Sequence, residues 1–325
     1  MSTFSYSIKE TFQIDVPPSL TVEGFKPSGC PEVPTESPYH FRKEPLRDVL
    51  AFLSAPLGDA LYLSGPTGSG KTSLIHQVAA RLHWPLESVT CHGRLELMDL
   101  IGQFTLIQGE TQFAHGPLAR ALKEGRILIL NELDLMEPSE LSGLNDCLEG
   151  DGLTIAQNGG ERIQPHPGFR LIATANSAGQ GDRTGLYQGV LRQNLALMDR
   201  FRLMEVDYPA PEFELELLKS KVPELPETHL GQMIRVANEI RQLFVGRDHQ
   251  KGLLTLTLST RGLIRWAHLT WAFRSAPRAL EYALERALTF RADPDQKIAI
   301  HRIAADVLGD QWLSLTLPAS SLRTH

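Results

Sequence analysis

The stretch Gly65-Pro66-Thr67-Gly68-Ser69-Gly70-Lys71-Thr72 decides the fold of this chain. It matches the pattern Gly-x-x-x-x-Gly-Lys-Ser/Thr, in which a glycine-rich turn holds phosphate groups. The apolar run Ala60–Ser64 precedes the turn, and apolar residues follow at helical spacing from Lys71 to Leu82. A strand, a glycine turn and a helix in this order predict a nucleotide-binding domain built on a parallel sheet.

The residue types of this loop suit phosphate chemistry. Glycines allow consecutive backbone N–H groups to point inward, and the start of the following helix adds its positive dipole. The Lys71 ammonium would reach the β- and γ-phosphates, and the Thr72 hydroxyl would bind Mg²⁺. The alternative interpretation is a glycine turn that binds no ligand. We predict ATP and Mg²⁺ as cofactors, with a phosphate site made of Gly65, Pro66, Thr67, Gly68, Ser69, Gly70, Lys71, Thr72 and Ser73.

Further short apolar runs alternate with segments of helical spacing, which predicts β and α elements in turn. This order favours an α/β fold, a P-loop parallel sheet with helices on both faces. After Pro209 and Pro211 the remaining segments all have helical patterns, so we expect a smaller C-terminal all-α domain. The runs interpreted as further strands are Ser88–Cys91, Ile127–Leu130, Phe169–Ala175 and, at an edge of the sheet, Met204–Tyr208.

Residues 1–45 are rich in proline, which excludes long helices there. We interpret them as an extended N-terminal arm that lies on the body or on a neighbouring subunit, the alternative being a disordered tail. The predicted domains are this arm, a nucleotide-binding α/β domain at 46–210 and a helical domain at 211–325.

Bulk composition narrows the class of protein. The net charge is −6 over 325 residues, without a basic arm, so a nucleic-acid partner is not expected. The three cysteines have no paired spacing and fit free thiols in a reducing compartment. The first residues lack a signal-peptide pattern, and no apolar run approaches the ~20 residues that span a bilayer. We expect a cytoplasmic protein without a membrane partner.

A P-loop enzyme also needs an acidic residue at the end of a neighbouring strand to hold Mg²⁺. In the candidate segment 128–134, Asn131 takes the position of that aspartate and Glu132 the position of the general base. Asn131 would bind a magnesium-bound water without adding charge. One interpretation is that Asn131 suffices for magnesium binding because its contact runs through water. The other is that hydrolysis is slowed and the protein is a nucleotide-gated switch. We favour slow but real hydrolysis. Asp134 would compensate if it faced the same way as Glu132, as alternate strand residues do.

With these motifs the chain resembles the MoxR branch of the AAA+ ATPases, and within it the ATPase subunits of aerobic cobaltochelatase, which carry aspartate at the position of Asn131. The most specific part is Pro165-His166-Pro167-Gly168-Phe169-Arg170, followed by Ala173-Thr174-Ala175-Asn176. The other matching segments are Pro31–Pro34, Tyr39–Phe41, the phosphate loop, Gln77–Pro85, Asp99–Gly102, Arg162–Gln164, Gly185–Tyr187 and Met198–Arg200.

The resemblance implies an AAA+ core with a helical lid domain and roles for three further residues. Asn176 is implied to be the polar sensor that positions the attacking water, the alternative being a turn-forming asparagine. Arg200 is implied to be an arginine finger offered to the ATP of the next subunit, and Arg261 a lid arginine that contacts the γ-phosphate in cis. A surface salt bridge is the alternative for Arg200.

The resemblance also implies partners. It points to a homo-oligomer in the form of a hexameric ring, working with a partner protein that carries a von Willebrand-type domain. Two inserts, at about 94–117 and about 150–168, would face the pore or that partner, unless they are plain surface loops; the second is a predicted hairpin that turns at Asn158-Gly159-Gly160. The expected function is ATP-driven remodelling of a partner, as in metal insertion by cobaltochelatase. The rival is a nucleotide-gated assembly scaffold with weak or no hydrolysis; a DNA-dependent motor fits the acidic charge poorly.

Overall fold

A computed structural model describes residues 2–181, 189–245 and 253–313. The chain divides into two compact units. The first comprises residues 1–66 and 70–206, and the second comprises residues 67–69 and 207–325. The tip of the glycine-rich loop is thus grouped with the second unit, while both ends of the loop belong to the first.

The secondary structure of the first unit alternates between strands and helices. Its strands are β1 (Thr3–Ser7), β2 (Thr21–Phe25), β3 (Ala60–Ser64), β4 (Leu86–Thr90), β5 (Gly102–Ile107), β6 (Glu110–His115), β7 (Ile127–Asn131), β8 (Leu153–Ile155), β9 (Glu161–Ile163), β10 (Arg170–Thr174) and β11 (Phe201–Glu205). Its helices are α1 (Ile8–Phe12), α2 (Lys43–Ser54), α3 (Lys71–Arg81), α4 (Leu97–Ile101), α5 (Pro117–Glu124), α6 (Pro138–Leu141), α7 (Asn145–Leu148) and α8 (Leu195–Met198).

Five strands form one sheet in the order β11-β3-β10-β7-β4, and all of its neighbours are parallel. Strand β7 is buried along its apolar length, and its alternate residues enter two different hydrophobic clusters. Leu128 and Leu130 pack in the cluster that holds α4 and α5, whereas Ile127 and Ile129 pack with α2 and α3. Because alternate residues point to opposite faces, helices cover both faces of the sheet. The predicted fold class is confirmed.

The register of the central strands brings their carboxyl ends level. Thr174 of β10 pairs with Asn131 of β7 on one side and with Leu63 of β3 on the other. The loops that leave these three strands therefore start at the same edge of the sheet. In open parallel sheets this edge is where ligands bind.

The proline-rich segment predicted to form an arm has two parts. Residues 2–25 contain an antiparallel pair, β1 with β2, joined through the short helix α1. Residues 26–42 carry no helix or strand and lie against α3, where the Gln77 side chain accepts the Ser37 N–H at 3.0 Å and donates to the Thr35 carbonyl at 3.3 Å. Backbone groups that sheet and helix leave unpaired are thus satisfied by a glutamine side chain.

Both inserts contain antiparallel hairpins. In the first, β5 pairs with β6, and the side chains of Phe104 and Leu106 are exposed. In the second, β8 pairs with β9, and Gly159 and Gly160 both have positive φ in the turn between them. The hairpin predicted in the second insert is therefore confirmed. Glycine at both positions permits the left-handed backbone of its turn.

The described part of the second unit is helical, as predicted. Its helices are α9 (Pro211–Lys221), α10 (Glu227–Val245), α11 (Thr260–Ala272), α12 (Ala279–Ala287), α13 (Pro294–Leu308) and α14 (Asp310–Leu313). Trp266 is fully buried in their core and donates its indole N–H to the Leu280 carbonyl at 3.0 Å. No helix in the described ranges is long and apolar enough to cross a membrane.

A buried ion pair links three helices of the second unit. Glu214 on α9 is fully buried and accepts two hydrogen bonds of 2.8 Å from the guanidinium of Arg241 on α10. The Thr260 hydroxyl at the start of α11 donates to the same carboxylate at 2.7 Å. The bidentate geometry and the third donor compensate the loss of hydration of the two charges.

Replacing Glu214 with alanine should lower the free energy of unfolding by about 3–5 kcal/mol, because Arg241 would remain buried without its counter-charge. Urea unfolding followed by tryptophan fluorescence measures this, since Trp266, Trp271 and Trp312 all belong to the second unit. The control is Glu224→Ala at an exposed position, expected within about 0.5 kcal/mol of the wild type. A loss below about 1 kcal/mol for Glu214→Ala would show that the pair does not stabilise the unit.

Candidate functional site

The glycine-rich loop has a backbone that only glycine adopts easily. Gly65, Gly68 and Gly70 have φ of 144°, 72° and 96°. A Cβ on Gly65 would lie 2.3 Å from the carbonyl oxygen of Val206, the residue after β11, so the close approach of this backbone also requires glycine there. Gly70 precedes α3, and no side chain of the described residues caps that helix. The free N–H groups of the first helical turn fit an anion such as a phosphate.

Lys71 is bent back over this loop. Its ammonium donates to the Gly65 carbonyl at 2.7 Å, to the Pro66 carbonyl at 3.0 Å and to the Asn176 side-chain oxygen at 3.4 Å. The residue is buried, which lowers the pKa of the ammonium to about 8, while the charges of Asp134 and Glu132 act in the opposite direction. A cation held in a glycine cradle, with only neutral oxygens as hydrogen-bond partners among the described residues, suits a polyphosphate.

Thr72 and Asn131 meet at the carboxyl edge of the sheet. The Thr72 hydroxyl donates to the Asn131 Oδ1 at 2.7 Å, and the Thr174 hydroxyl donates to the same oxygen at 3.3 Å. The Asn131 amide nitrogen donates to the Ser88 hydroxyl at 2.8 Å and to the Val89 carbonyl at 3.4 Å. These contacts turn the oxygen of Asn131 toward Thr72. Hydroxyl and amide oxygens are hard ligands, so the pair fits Mg²⁺, with one formal charge fewer than an aspartate would supply.

Glu132 follows directly in a left-handed backbone conformation, with φ of 56° and ψ of 44°. Its N–H donates to the Thr174 hydroxyl at 3.4 Å, and its side chain is exposed. The left-handed conformation costs a residue with a Cβ about 1–2 kcal/mol, and such backbone strain is concentrated at functional sites. The turn directs the chain out of β7 at the residue predicted to be the general base.

Asp134 does not face the same way as Glu132, so it does not replace the missing charge in the predicted manner. The alternation of a strand stops at Asn131, because Glu132 is left-handed and residues Leu133–Leu135 form a 3₁₀ turn. The Asp134 side chain is fully buried and accepts the backbone N–H groups of Asn176 at 2.9 Å and Ser177 at 3.1 Å. Burial raises the pKa of its carboxyl.

The two arginines lie apart from this group of contacts. Arg200, between α8 and β11, binds the carboxylate of Glu149 through Nε at 2.9 Å and through a second nitrogen, and donates to the Ala196 carbonyl. Arg261 lies in the second unit and is exposed on the first turn of α11, a helix whose N-terminus is capped by the Ser259 side chain. Ser73 is exposed on α3. The Gly185–Tyr187 segment of the resemblance lies outside the described residues.

The structure therefore brings together Lys71, Thr72, Asn131 and Asn176 through direct hydrogen bonds, with Glu132 next to Asn131. The sequence interpretation did not include the contacts that Ser88, Thr174 and Asp134 make at the site, nor, away from it, the pair of Arg200 with Glu149. Thr174 was within reach of sequence reasoning, because it lies near the end of the predicted strand Phe169–Ala175. The others depend on strand order and on the turn after Glu132, which no local pattern shows.

Replacing Lys71 with methionine should stabilise the protein without nucleotide at pH 7 by about 1–3 kcal/mol, because the buried ammonium is costly. The folded protein releases this proton near pH 8 and the unfolded chain near pH 10.5, so the wild type should gain stability across that interval. The difference in unfolding free energy between Lys71→Met and the wild type, called the gap below, should therefore narrow. Urea midpoints at pH 7 to 10.5 in phosphate-free buffer measure the gap. Lys221→Met, at an exposed lysine, controls for the loss of a lysine elsewhere. A gap independent of pH would contradict the assignment.

Comparisons with known proteins identify the family of the chain. The family model described as "AAA domain (dynein-related subfamily)" matches residues 60–201, and the model described as "CbbQ/NirQ/NorQ C-terminal" matches residues 214–307. The aerobic cobaltochelatase subunit CobS of Sinorhizobium sp. is 32% identical over 87% of this chain and 87% of its own length. Protein NorQ of Paracoccus denitrificans is 34% identical over 81% of this chain and 92% of its own length.

A solved structure of a RuvB mutant from Thermotoga maritima covers 84% of this chain and 73% of its own, at 16% identity and a TM-score of 0.49. The two sequence relatives are matched over most of both chains. On that evidence the chain belongs to the MoxR branch of the AAA+ ATPases, in the group that contains CobS and NorQ.

Proposed function

We propose that this chain is a Mg²⁺-dependent ATPase subunit that assembles into a ring and uses ATP hydrolysis to remodel a partner protein. The observation that carries the proposal is the hydrogen-bonded group at the carboxyl edge of the sheet. There the Lys71 ammonium contacts Asn176 at 3.4 Å and the Thr72 hydroxyl contacts Asn131 at 2.7 Å. Three segments far apart in sequence thus bring cation, hydroxyl and amide groups to the phosphate loop.

In this proposal each side chain has one task. Lys71 and the N–H groups of the loop bind phosphate oxygens, and Thr72 with Asn131 holds Mg²⁺, which neutralises charge on those oxygens. Glu132 accepts the proton of the attacking water through its exposed carboxylate. The Asn176 amide orients that water, and because it is neutral it adds no repulsion toward a phosphate.

Arg200 and Arg261 complete the proposed site. We place Arg200 as the finger that reaches the ATP of the next subunit of a hexameric ring, where a guanidinium stabilises charge in the transition state. Its present partner, Glu149, is an exposed carboxylate, and such pairs are weak enough to exchange for a phosphate. Arg261 would act in cis on the γ-phosphate; its exposed place on the first turn of α11 leaves the guanidinium accessible.

Family membership supports a proposal for the partner. We propose a protein with a von Willebrand-type domain as the partner and the cytoplasm as the compartment. The name of the CobS relative describes a cobaltochelatase subunit, and insertion of a metal into a macrocycle is accordingly the client task we propose to test first. The similar identity to NorQ, 34% against 32%, leaves the general remodelling activity as the core of the proposal.

A second candidate function is a nucleotide-gated scaffold, and Asn131 is the observation that favours it. The amide is held in place by Ser88 and Val89 and leaves the metal pair of Thr72 and Asn131 without a formal negative charge. Weaker metal binding would slow hydrolysis while the loop still binds nucleotide. Phosphate release by the purified protein, with and without its partner, distinguishes the two, since a scaffold releases none under either condition.

Replacing Glu132 with glutamine should leave ATP affinity within about threefold of the wild type and lower kcat at least ~100-fold, because the general base is lost and the phosphate contacts are not. Nucleotide binding by fluorescence and phosphate release measure the two quantities. The control is Glu212→Gln at an exposed position of the second unit. Turnover at the wild-type rate in Glu132→Gln would remove Glu132 from the mechanism.

Replacing Asn131 with aspartate should lower the Mg²⁺ concentration for half-maximal turnover by about tenfold, because a charged oxygen then faces Thr72. The Ser88 hydroxyl would turn to donate to the new carboxylate. Magnesium titration of phosphate release measures the change. The matched control is Asn194→Asp, at an exposed helix N-cap whose hydrogen bond an aspartate also makes. An unchanged or higher magnesium requirement would show that the missing charge does not limit the metal site.

A further inference from the structure

Asp134 is a buried carboxylate for which the proposed mechanism has no task. Its Oδ2 accepts the N–H of Asn176 at 2.9 Å, the N–H of Ser177 at 3.1 Å and the Ser177 hydroxyl at 3.4 Å. The side chain has no solvent exposure. Burial of a carboxylate costs several kcal/mol unless hydrogen bonds compensate it, so the acceptor role toward this turn is the one that its surroundings support.

The turn that Asp134 contacts, residues 175–177, leaves β10 beside the phosphate loop. Its backbone is held from two other directions, both from β3. The Ala175 N–H donates to the Leu63 carbonyl at 2.9 Å, and the Tyr62 hydroxyl donates to the Ser177 carbonyl at 3.0 Å. Asp134 supplies the remaining anchor, from the segment that follows β7.

The side chain between these anchors is the amide of Asn176, which contacts the Lys71 ammonium at 3.4 Å. An amide oriented by a fixed backbone loses little freedom on meeting a phosphate or a water, and misplacement by about 1 Å costs up to ~100-fold in rate. The position of this amide therefore depends on the three anchors of the turn.

We infer that Asp134 is a positioning residue, whose carboxylate fixes the backbone of Asn176 and Ser177 so that the Asn176 amide is directed at the phosphate site. The inference rests on the proposed function, because it assigns Asp134 to the placement of the group that orients water. It also links the segment after Glu132 to the turn after β10, so that the proposed base and the proposed sensor share one support.

A positioning role requires an acceptor oxygen at residue 134, whereas a metal ligand or a fixed charge requires the negative charge. Asparagine at 134 retains an oxygen that accepts both N–H groups but loses the charge, whereas alanine loses both. If Asp134 acts as an acceptor, asparagine rescues function. If its charge matters, asparagine is as harmful as alanine.

The test compares Asp134→Ala, Asp134→Asn, Asn176→Ala and the double variant Asp134→Ala with Asn176→Ala. We expect Asp134→Ala to lower kcat at least tenfold with the Kd of a fluorescent ATP analogue within about threefold of the wild type, and Asp134→Asn to stay within about threefold in both. In the double variant, kcat should lie within about threefold of the kcat of Asn176→Ala alone, because both substitutions remove the same contribution, that of the positioned Asn176 amide. Asp306→Ala, at an exposed aspartate, is the control.

A second readout is independent of turnover. Amide hydrogen exchange of the peptide containing residues 175–178, in protein without nucleotide, should be at least tenfold faster in Asp134→Ala and near wild type in Asp134→Asn. Thermal unfolding checks that each variant is folded. Should Asp134→Ala not fold, Asp134→Ser replaces it, since its hydroxyl is too short to accept both N–H groups.

The outcomes separate the inference from the function on which it rests. Unchanged exchange in Asp134→Ala, equal losses for alanine and asparagine, or an additive loss in the double variant would each overturn the inference. Wild-type turnover in Asn176→Ala would instead refute the role proposed for Asn176, and the exchange result would then decide alone whether Asp134 fixes the turn.

Discussion

Thr174 pairs with Leu63 of one neighbouring strand and with Asn131 of the other, so β3, β10 and β7 end level at one edge of the sheet. Parallel strands require crossover connections, and each strand end here is therefore separated from the others by a helix and a long stretch of sequence. This single register places the phosphate loop, the end of β7 and the turn after β10 side by side. Slipping β10 by one residue would exchange its two faces and remove the contacts of Thr174.

A second constraint is electrostatic. The first unit buries the Lys71 ammonium, and three neutral oxygens together with the charges of two nearby carboxylates offset part of the loss of hydration. Burial nevertheless dominates, since it lowers the pKa of the ammonium to about 8. The cation is thus prepared for an anionic ligand at a cost in stability, as electrostatic preorganisation requires.

Sequence reasoning predicted those features of the fold and the site that depend on local pattern. The loop from Gly65 to Thr72, the buried run of β7 and the helical character of the second unit all follow from composition and periodicity. Asn131 could be placed at the metal position because it directly follows the predicted strand Ile127–Leu130. The orientation of Asp134 could not be predicted, because the left-handed backbone at Glu132 ends the alternation of the strand two residues before Asp134. The pair of Arg200 with Glu149 joins residues from different elements and has no local signal.

The left-handed backbone of Glu132 has a consequence for anyone who engineers this chain for heat resistance. Glycine or asparagine suits φ of 56° better than glutamate does, so a design method that ranks positions by conformational strain would select Glu132 for replacement. Such a variant would gain thermal tolerance and lose the carboxylate that we assign to chemistry. Stabilising substitutions are better sought in exposed helix positions of the second unit, where sequence can change without touching a strained residue.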